Sequence, residues 1–359
     1  MAEDFDLVVL GSGAGGLSAA VTAAAKGLRV VVLDKAAFVG GTSAWSGGWI
    51  WAPGNPVCER GGVAPDRDAA RAYLQAVTGP FFQPGKVEAF LDAAPRMVDF
   101  FERETALQFE PGLAIPDTYS DMPGAGTGGR SVIARPYDAR GLGADLALLR
   151  PPLRETAFKG MTIQSGPDLR AFLTLTRSAK SLIHVTKRVV RHFRDLALHG
   201  RGMDLRNGNA LIARLLRSAL DQGVVIRVGV MATGLRVEDG RVTGVETTEG
   251  FIAARRGVVL ATGGYPHDPK RRAASFPRDA EHLTLAVPEA TGDGLRLAEA
   301  VGASVQEDLA QPAAYCPVSR LRWPDGAEGV FPHIIDRGKP GLIAVLADGR
   351  RFCNEGLGY

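Results

Sequence analysis

Cysteine is scarce in this chain, with only Cys58, Cys316 and Cys353 among 359 residues. Their separations fit no zinc, iron–sulfur or dithiol motif, and such low cysteine usage is typical of a reducing compartment. No apolar run approaches the roughly 20 residues that span a bilayer. The acidic N-terminus leads straight into a strand, unlike the charged-then-apolar order of a signal peptide. These absences predict a cytoplasmic protein.

An excess of charge is also missing. Lys and Arg number 42 against 39 Asp and Glu, a net charge of +3, so nothing indicates nucleic-acid binding. The six histidines lack partners at metal-ligand spacing, and no metal site is predicted. Glycine is abundant instead, at 45 residues, and 45% of the chain is hydrophobic. This predicts a large core, two or more domains, and close approaches of the backbone to a ligand.

The first strong motif lies in FDLVVLGSGAGGLSAAVTAAAKGLRVVVLDK, which predicts a strand at 7–10, a helix at 17–25 and a strand at 30–33. Its glycines have G-x-G-x-x-G spacing: one allows a tight turn, one lets a pyrophosphate approach, and one brings helix against strand. The helix N-terminus adds free N–H groups, and an acid ends the second strand, where it can bind ribose hydroxyls. The predicted dinucleotide contacts are Gly11, Gly13, Ala14, Gly15, Gly16, Asp34 and Lys35.

The next stretch, VGGTSAWSGGWIWAPGN at 39–55, separates FAD from NAD, which the glycine motif alone does not. Two Gly-Gly pairs bracket small hydroxyl residues, a composition that can wind against a flat ligand. Three tryptophans in the same stretch disfavour a solvent-exposed loop. Here the sequence resembles the fumarate reductase and succinate dehydrogenase flavoprotein superfamily, and within it the 3-ketosteroid dehydrogenase branch.

The resemblance implies FAD as the cofactor. Members that bind FAD covalently do so through a histidine in this stretch; none occurs here, so noncovalent FAD is expected. The contacts it implies are Gly40, Gly41, Thr42, Ser43, Ser46, Gly47, Gly48, Met231 (backbone to adenine), Ala261, Thr262, Gly263 and Gly264. For Asp293, in TGDG, two interpretations stay open: it caps the helix at 295–301, or it contacts the flavin.

The implied fold class is α/β, a Rossmann-like FAD-binding domain with an inserted α+β catalytic (capping) domain. The expected boundaries are 1–286 for the FAD-binding domain, with a helical excursion at about 66–205, and 287–359 for the start of the catalytic domain. Family members continue past this point, so a truncated C-terminal part is expected. No second nucleotide-binding fold of strand, G-x-G-x-x-G turn and helix is predicted, which favours a separate electron acceptor.

The final residues, GRRFCNEGLGY, raise the question of the catalytic base. In the dicarboxylate enzymes of the superfamily an arginine follows the Asn of an RF-x-NE motif by five residues, and in ketosteroid dehydrogenases a tyrosine does. Asn354 plus five is Tyr359. Residues 311–313 are Gln-Pro-Ala, where the dicarboxylate enzymes have His-Pro-Thr. Both differences favour a steroid or similar hydrophobic ketone as substrate.

The implied reaction places a C=C bond next to the ketone, by Δ1- or Δ4(5α)-dehydrogenation. Tyr359 removes the α-proton, and a hydride passes to flavin N5. The family's assisting tyrosine corresponds to Thr118; the neighbouring Tyr119 either takes that role or lines the pocket. Two alternatives remain: a reductase of another unsaturated carbonyl or acid in the superfamily, or, in another class, a flavin-poor binding protein or inactive fragment.

The segment 177–201, RSAKSLIHVTKRVVRHFRDLALHGR, predicts an amphipathic helix. Leu182, Val189 and Phe193 recur at helical spacing, and cations crowd the other positions. Two interpretations stay open: an ordinary solvated helix, or peripheral contact with an anionic membrane or an acidic partner. A lipid-like substrate favours the membrane.

Overall fold

The computed structural model describes residues 3–278, 281–334 and 341–355. Within these ranges the chain forms thirteen strands: β1 Glu3–Leu10, β2 Val30–Asp34, β3 Trp49–Trp51, β4 Phe109–Pro111, β5 Ser131–Ala134, β6 Tyr137–Asp138, β7 Asp204–Leu205, β8 Val225–Val228, β9 Ala232–Glu238, β10 Arg241–Thr247, β11 Gly250–Leu260, β12 Val318–Arg322 and β13 Glu328–Pro332.

The same described ranges contain nine α-helices: α1 Ala14–Ala24, α2 Pro56–Arg60, α3 Arg67–Thr78, α4 Pro84–Glu104, α5 Pro167–Leu173, α6 Ala179–His199, α7 Asn207–Asp221, α8 Pro269–Ser275 and α9 Asp293–Ala300. Short 3₁₀ helices occupy Gly41–Trp45, Gly79–Phe81, Ala139–Leu148 and Arg154–Thr156. None of the helices described here is long and apolar enough to cross a lipid bilayer.

The main sheet has the strand order β8-β2-β1-β11-β10-β9. The first four strands run parallel, and β10 and β9 continue the sheet antiparallel. Val8, Val9, Val31 and Val32 are completely buried, as expected for parallel strands that are covered on both faces. Helices α1 and α7 pack against each other. This arrangement confirms the predicted α/β Rossmann-like class.

Most predicted elements are present, with shifted ends. Helix α1 begins at Ala14, three residues before the predicted start, because the third glycine of the motif already belongs to its first turn. A hairpin joins β9 to β10 through Asp239 and Gly240, whose φ angles are 49° and 73°. Two left-handed residues suit a tight hairpin turn. Helix α9 begins at Asp293, two residues before the prediction.

The chain forms two compact units. The first unit comprises residues 1–48, 104–108 and 134–308, and the second comprises 49–103, 109–133 and 309–359. Residues 287–308, which the predicted boundary assigns to the catalytic domain, thus lie in the first unit. As functional domains, 1–286 and 287–359 stay a prediction.

Candidate functional site

Three neighbouring parallel strands of the first unit end at one edge of the sheet. Strand β1 ends before Gly11, β2 ends at Asp34, and β11 ends before Ala261. The N–H of Gly11 donates to the carbonyl of Leu33 and that of Ala261 to the carbonyl of Leu10, both at 2.8 Å. Open α/β sheets bind their ligands at this edge, outside the carboxyl ends of the strands.

The glycine turn packs tightly against its own backbone and the end of β11, and it leaves free space around Gly13 and Gly15. A Cβ on Gly16 would lie 1.9 Å from the carbonyl oxygen of Gly11, and one on Gly11 would lie 2.3 Å from a backbone oxygen beyond β11. A Cβ on Gly15 would meet no described heavy atom within 4 Å, and one on Gly13 would come no closer than 3.4 Å. The free space lies beside the first turn of α1, where helix N–H groups favour a phosphate.

The carboxylate of Asp34 is held by this turn. Its Oδ2 accepts from the Ser12 N–H at 2.9 Å and from the Ser12 hydroxyl, and its Oδ1 accepts from the Ala36 N–H at 2.9 Å. The Ser12 hydroxyl also accepts from the Gly40 N–H at 3.0 Å. A carboxylate has about four acceptor sites, so about one remains for a ribose hydroxyl. Sequence reasoning missed Ser12, although a hydroxyl inside the glycine motif was the available signal.

Hydroxyl groups connect the loop at 40–48 to its surroundings. The Ser43 hydroxyl accepts from the Ala14 N–H, and the Thr42 hydroxyl accepts from the Val287 N–H, both at 3.2 Å. The Ser46 hydroxyl donates to the Ser43 carbonyl at 2.8 Å. These bonds hold the loop against the start of α1 and against the segment that precedes α9.

The glycines of this loop fall into two groups: some allow close packing against α7, and others lie at the open surface. A Cβ on Gly48 (φ 75°) would lie 2.5 Å from the backbone of Asn207 at the start of α7. Gly40 has φ 120° and packs against Ile212 in the same way. Gly41 (φ 48°) has no described atom within 4 Å of an added Cβ, and Gly47 is exposed. The loop is therefore packed against α7 at Gly40 and Gly48 and leaves space for a ligand at Gly41 and Gly47.

The predicted contacts that follow β11 adjoin the start of α9. The Thr262 hydroxyl accepts from the Gly294 N–H at 3.0 Å, and the Gly264 carbonyl accepts from the Gly292 N–H at 3.1 Å. Between them Gly263 has φ 76° and open space around an added Cβ. At Gly263 and Gly264 this segment therefore has no side chain that would obstruct a ligand.

Lys35 and Asp293 form an ion pair with each other. The Lys35 Nζ donates to the Thr291 hydroxyl at 2.6 Å and to the Asp293 carboxylate. Arg296 donates to the same carboxylate. Asp293 is the first helical residue of α9, and the capping position is Gly292, without a side-chain bond. The capping interpretation of Asp293 is therefore wrong, because Gly292 holds the capping position and the Asp293 carboxylate pairs with Lys35 and Arg296 instead. A flavin contact stays a prediction.

Met231 lies beside the end of β2, since the neighbouring Val230 N–H donates to the Asp34 carbonyl at 3.0 Å. Its own N–H donates to the Thr248 hydroxyl at 3.3 Å, and its carbonyl accepts from the Thr248 N–H at 3.0 Å. The backbone of Met231 is thus already paired, and its side chain is partly exposed. The adenine contact stays a prediction.

One family model decides what this site holds. The model of the FAD binding domain matches residues 6–359. The chain belongs to this FAD-binding family. The residues described above suit FAD, because the open glycine turn, the acid after β2 and the small-residue loop are where a dinucleotide needs them. The prediction of FAD is confirmed.

Similar proteins agree with this family. The 4-oxocyclohex-2-ene-1-carboxylate 5-dehydrogenase of Sinomonas cyclohexanicum is 38% identical over 99% of this chain and 61% of its own length. The 3-oxosteroid 1-dehydrogenase of Mycobacterium tuberculosis is 35% identical over 99% of this chain and 63% of its own. The chain thus spans less than two thirds of their length.

A solved structure extends the likeness to three dimensions. It is a 3-ketosteroid Δ1-dehydrogenase from Sterolibacterium denitrificans in complex with 1,4-androstadiene-3,17-dione, with a TM-score of 0.86 and 30% identity over 98% of this chain and 64% of that one. The predicted resemblance to the 3-ketosteroid dehydrogenase branch is therefore confirmed.

Arg150 is a residue of the FAD-binding unit that sequence reasoning missed. Its guanidinium is almost completely buried and lies 3.0 Å from the Glu289 carboxylate. It also lies 5.5 Å from the ring centre of Trp45 and 5.8 Å from that of Phe38. Arg150 therefore joins the loop before Ser46 to the segment before α9. No motif surrounds it, so the sequence offered no signal.

In the second unit, Asp117 anchors the loop that carries Tyr119. Its carboxylate accepts from the Trp51 indole N–H at 2.7 Å and from Arg130. The Tyr119 N–H donates to the Tyr73 hydroxyl at 3.2 Å, while the Tyr119 side chain is exposed. Burial raises the pKa of Tyr73 more than the bond from Tyr119 lowers it. Tyr119 is thus presented on a fixed loop, and its catalytic role stays a prediction.

Tyr359 lies outside the described residues. In the motif before it, the Glu355 carboxylate accepts from Arg351 at 2.5 Å and from the Ala344 N–H. The bond from Arg351, and next the backbone bond, lower the pKa of Glu355 to about 2. Glu355 is therefore ionised at neutral pH and ties the motif together. The role of Tyr359 as base stays a prediction.

Proposed function

We propose that this chain is the FAD-binding part of a dehydrogenase that introduces a C=C bond next to a ring ketone. The observation that carries the proposal is its 38% and 35% identity, over 99% of the chain, to two dehydrogenases whose names both specify a cyclic oxo compound. The two predicted catalytic tyrosines belong to the same proposal.

The reaction requires two C–H bonds to break. Tyr359, as tyrosinate, takes the proton from the carbon next to the ketone, and the β-carbon loses a hydride as the C=C bond forms. FAD, when bound, supplies the two-electron acceptor for that hydride. A free tyrosine has a pKa of about 10, so hydrogen-bond donors must stabilise the phenolate of Tyr359. A positioned base contributes about 10²–10⁴ in rate.

We propose a neutral, hydrophobic ketone as the substrate, and a 3-ketosteroid as its first representative. The absence of the dicarboxylate enzymes' His-Pro-Thr at 311–313 supports a neutral carbonyl. A smaller ring ketone that carries a carboxylate, 4-oxocyclohex-2-ene-1-carboxylate, is the second candidate, favoured by the name of the 38% identical relative. The electron acceptor is a separate molecule, because the G-x-G-x-x-G turn at 11–16 lies between a strand and a helix, whereas the same spacing at 124–129 lies in a loop. We place the protein in the cytoplasm. We propose peripheral membrane contact through α6, because a steroid substrate dissolves in lipid.

The experiment uses flavin-loaded protein that is mixed anaerobically with androst-4-ene-3,17-dione or with 4-oxocyclohex-2-ene-1-carboxylate. Loss of the oxidised flavin absorbance band with one ketone, and a new double bond in the product, supports the proposal and identifies the substrate. Flavin that stays oxidised with both ketones and with the saturated 5α steroid contradicts it. Bleaching only by a reductant, followed by reoxidation with an unsaturated acid, would indicate the reductase instead.

The proposed base is tested in the same assay with Tyr359→Phe. Removing the phenolic oxygen is expected to slow flavin reduction by about 10²-fold or more and to leave flavin content unchanged. Tyr119→Phe is the comparison: a slower reduction rate at saturating ketone assigns it to proton transfer, and a change in KM alone assigns it to the pocket. Unimpaired reduction by Tyr359→Phe removes Tyr359 as the base.

A further inference from the structure

The outward face of α6 carries large apolar side chains that are about half exposed. The exposed fractions are 51% for Leu182, 55% for Ile183, 62% for Val190 and 43% for Phe193. At 3.6 residues per turn these positions share one side of the helix and extend over about 16 Å. Contiguous apolar surface of this kind usually marks an interaction site.

The turn at Phe158 and Lys159 enlarges this surface. The side chain of Phe158 is 56% exposed, and its ring centre lies 6.4 Å from that of Phe193. The Lys159 ammonium lies 5.8 Å from the centre of the Phe193 ring. We call Phe158, Leu182, Ile183, Val190 and Phe193 the apolar stripe.

Ion pairs on the opposite face fix α6 in this orientation. Asp168 and Arg188 are both buried and pair with each other, and the His184 Nε2 lies 2.8 Å from the Asp168 carboxylate. The buried Asp195 accepts from Arg140 at 2.7 Å. Rotating the helix to bury the apolar stripe would separate these charges, which is costly inside a protein. The exposure of the stripe therefore follows from the packing of the inner face.

A row of cations runs along one flank of the stripe. Lys180, Lys187, Arg191 and Arg194 are exposed and recur at intervals of seven, four and three residues, which places them on a neighbouring strip of the helix. Residues 167–199 contain seven Lys or Arg and two Asp. Both aspartates are buried. Arg191 pairs with the exposed Asp138 at 3.2 Å and Arg194 lies 3.4 Å from Asp195, so Lys180 and Lys187 supply most of the outward positive charge beside the apolar side chains.

We propose that the apolar stripe docks on an anionic lipid surface, with α6 lying flat among the headgroups. Apolar side chains beside a basic strip are the pattern of interfacial helices, and an anionic leaflet attracts each cation. A second copy of the chain would bring two like-charged surfaces together, so it fits less well. This inference rests on the membrane contact proposed above and specifies its residues and its lipid class. Vesicle binding is measured without turnover, so it can fail while the proposed reaction stands.

The test is flotation of the flavin-loaded protein with vesicles of phosphatidylcholine alone or mixed with phosphatidylglycerol. Binding is expected with the anionic vesicles, weakening as salt rises. Val190→Asp should lower the partition coefficient at least about ten-fold, and Lys180→Glu with Lys187→Glu at least about 25-fold, from roughly five-fold per cation. Tryptophan fluorescence and flavin content confirm that each variant is folded.

The matched controls change the same residue types elsewhere. Val237→Asp replaces a valine that is 46% exposed on β9, and Lys26→Glu with Lys86→Glu reverses two exposed lysines. Both controls are expected to bind vesicles like the parent. The proposal is overturned by absent binding to anionic vesicles, by equal losses in α6 variants and controls, or by a dimer that Val190→Asp dissociates without any vesicle binding.

Discussion

Single glycines of the dinucleotide turn have separable tasks. A methyl group at Gly16 would collide with the Gly11 carbonyl oxygen at 1.9 Å, whereas at Gly13 its nearest neighbour would be the Ser43 hydroxyl at 3.4 Å. Gly13 also has φ −67°, a conformation that alanine adopts freely. Helix packing therefore requires Gly16, and the approach of a ligand explains Gly13.

Gly13→Ala and Gly16→Ala are expected to differ in a measurable way. Gly16→Ala should lower the free energy of unfolding of the apoprotein by about 2 kcal/mol or more, since it overpacks a backbone contact. Gly13→Ala should leave that free energy within about 0.5 kcal/mol but weaken FAD binding at least about ten-fold, because its methyl group takes the space of the pyrophosphate. Urea unfolding and FAD titration of the apoprotein measure both quantities. Equal FAD affinities for Gly13→Ala and the parent would show that the phosphates approach elsewhere.

At the scale of elements, α6 shows where hydrophobic periodicity is insufficient. The sequence predicts the helix and its amphipathic pattern correctly, but Leu182 and Phe193 from that pattern point to solvent. The packed side instead holds Arg188, His192 and Asp195. Their partners lie 20 to 55 residues away, and a periodicity analysis weighs only neighbours on the same helix. Charge pairing between distant segments decides the orientation.

Asp168 tests that account of α6. Burial raises the pKa of Asp168, but the His184 bond and the charges of Arg206 and Arg188 outweigh it, so the pKa lies below its usual 3.8. Asp168→Asn should cost about 3 kcal/mol of unfolding free energy at pH 7. It leaves the buried Arg188 with the Thr162 carbonyl at 3.0 Å and the Asp204 carboxylate at 3.4 Å, without its closest anion.

The stabilisation by Asp168 depends on pH in a direction that follows from its lowered pKa. Because the pKa of Asp168 is lowered by folding, its stabilisation is complete above the usual aspartate pKa and is lost as pH falls through the lower folded value. The stability difference between the parent and Asp168→Asn should therefore shrink below about pH 4, in urea titrations at several pH values. Asp221→Asn, which breaks an exposed pair with Arg217, should cost less than about 0.5 kcal/mol. Similar losses in both variants would contradict the anchoring role of Asp168.

At the scale of the whole molecule, short-range signals predicted the cofactor end of the fold. The strand, glycine turn, helix and acid within residues 7–34 follow from local pattern, and they lie where predicted apart from shifted ends. The remainder depends on contacts between distant segments: Arg150 meets Glu289, and the second unit joins 49–103 to 309–359. Neither spacing nor composition encodes such contacts, so no motif indicated them.

The composition of the loop at 40–48 predicts how the whole protein holds FAD. The loop at 40–48 contains no histidine, cysteine or tyrosine, so it offers no side chain of the kind that bonds flavin covalently. Hydrogen bonds and phosphate contacts at the glycine turn then hold FAD, and they are lost when the fold is lost. Acid precipitation of the yellow protein is expected to release all of its flavin into the supernatant, measured by fluorescence, and a denaturing gel should show no fluorescent protein band. Flavin that stays with the washed precipitate would mean a covalent bond from a residue outside this loop, and the histidines at 184, 192, 199, 267, 282 and 333 would be the first to replace.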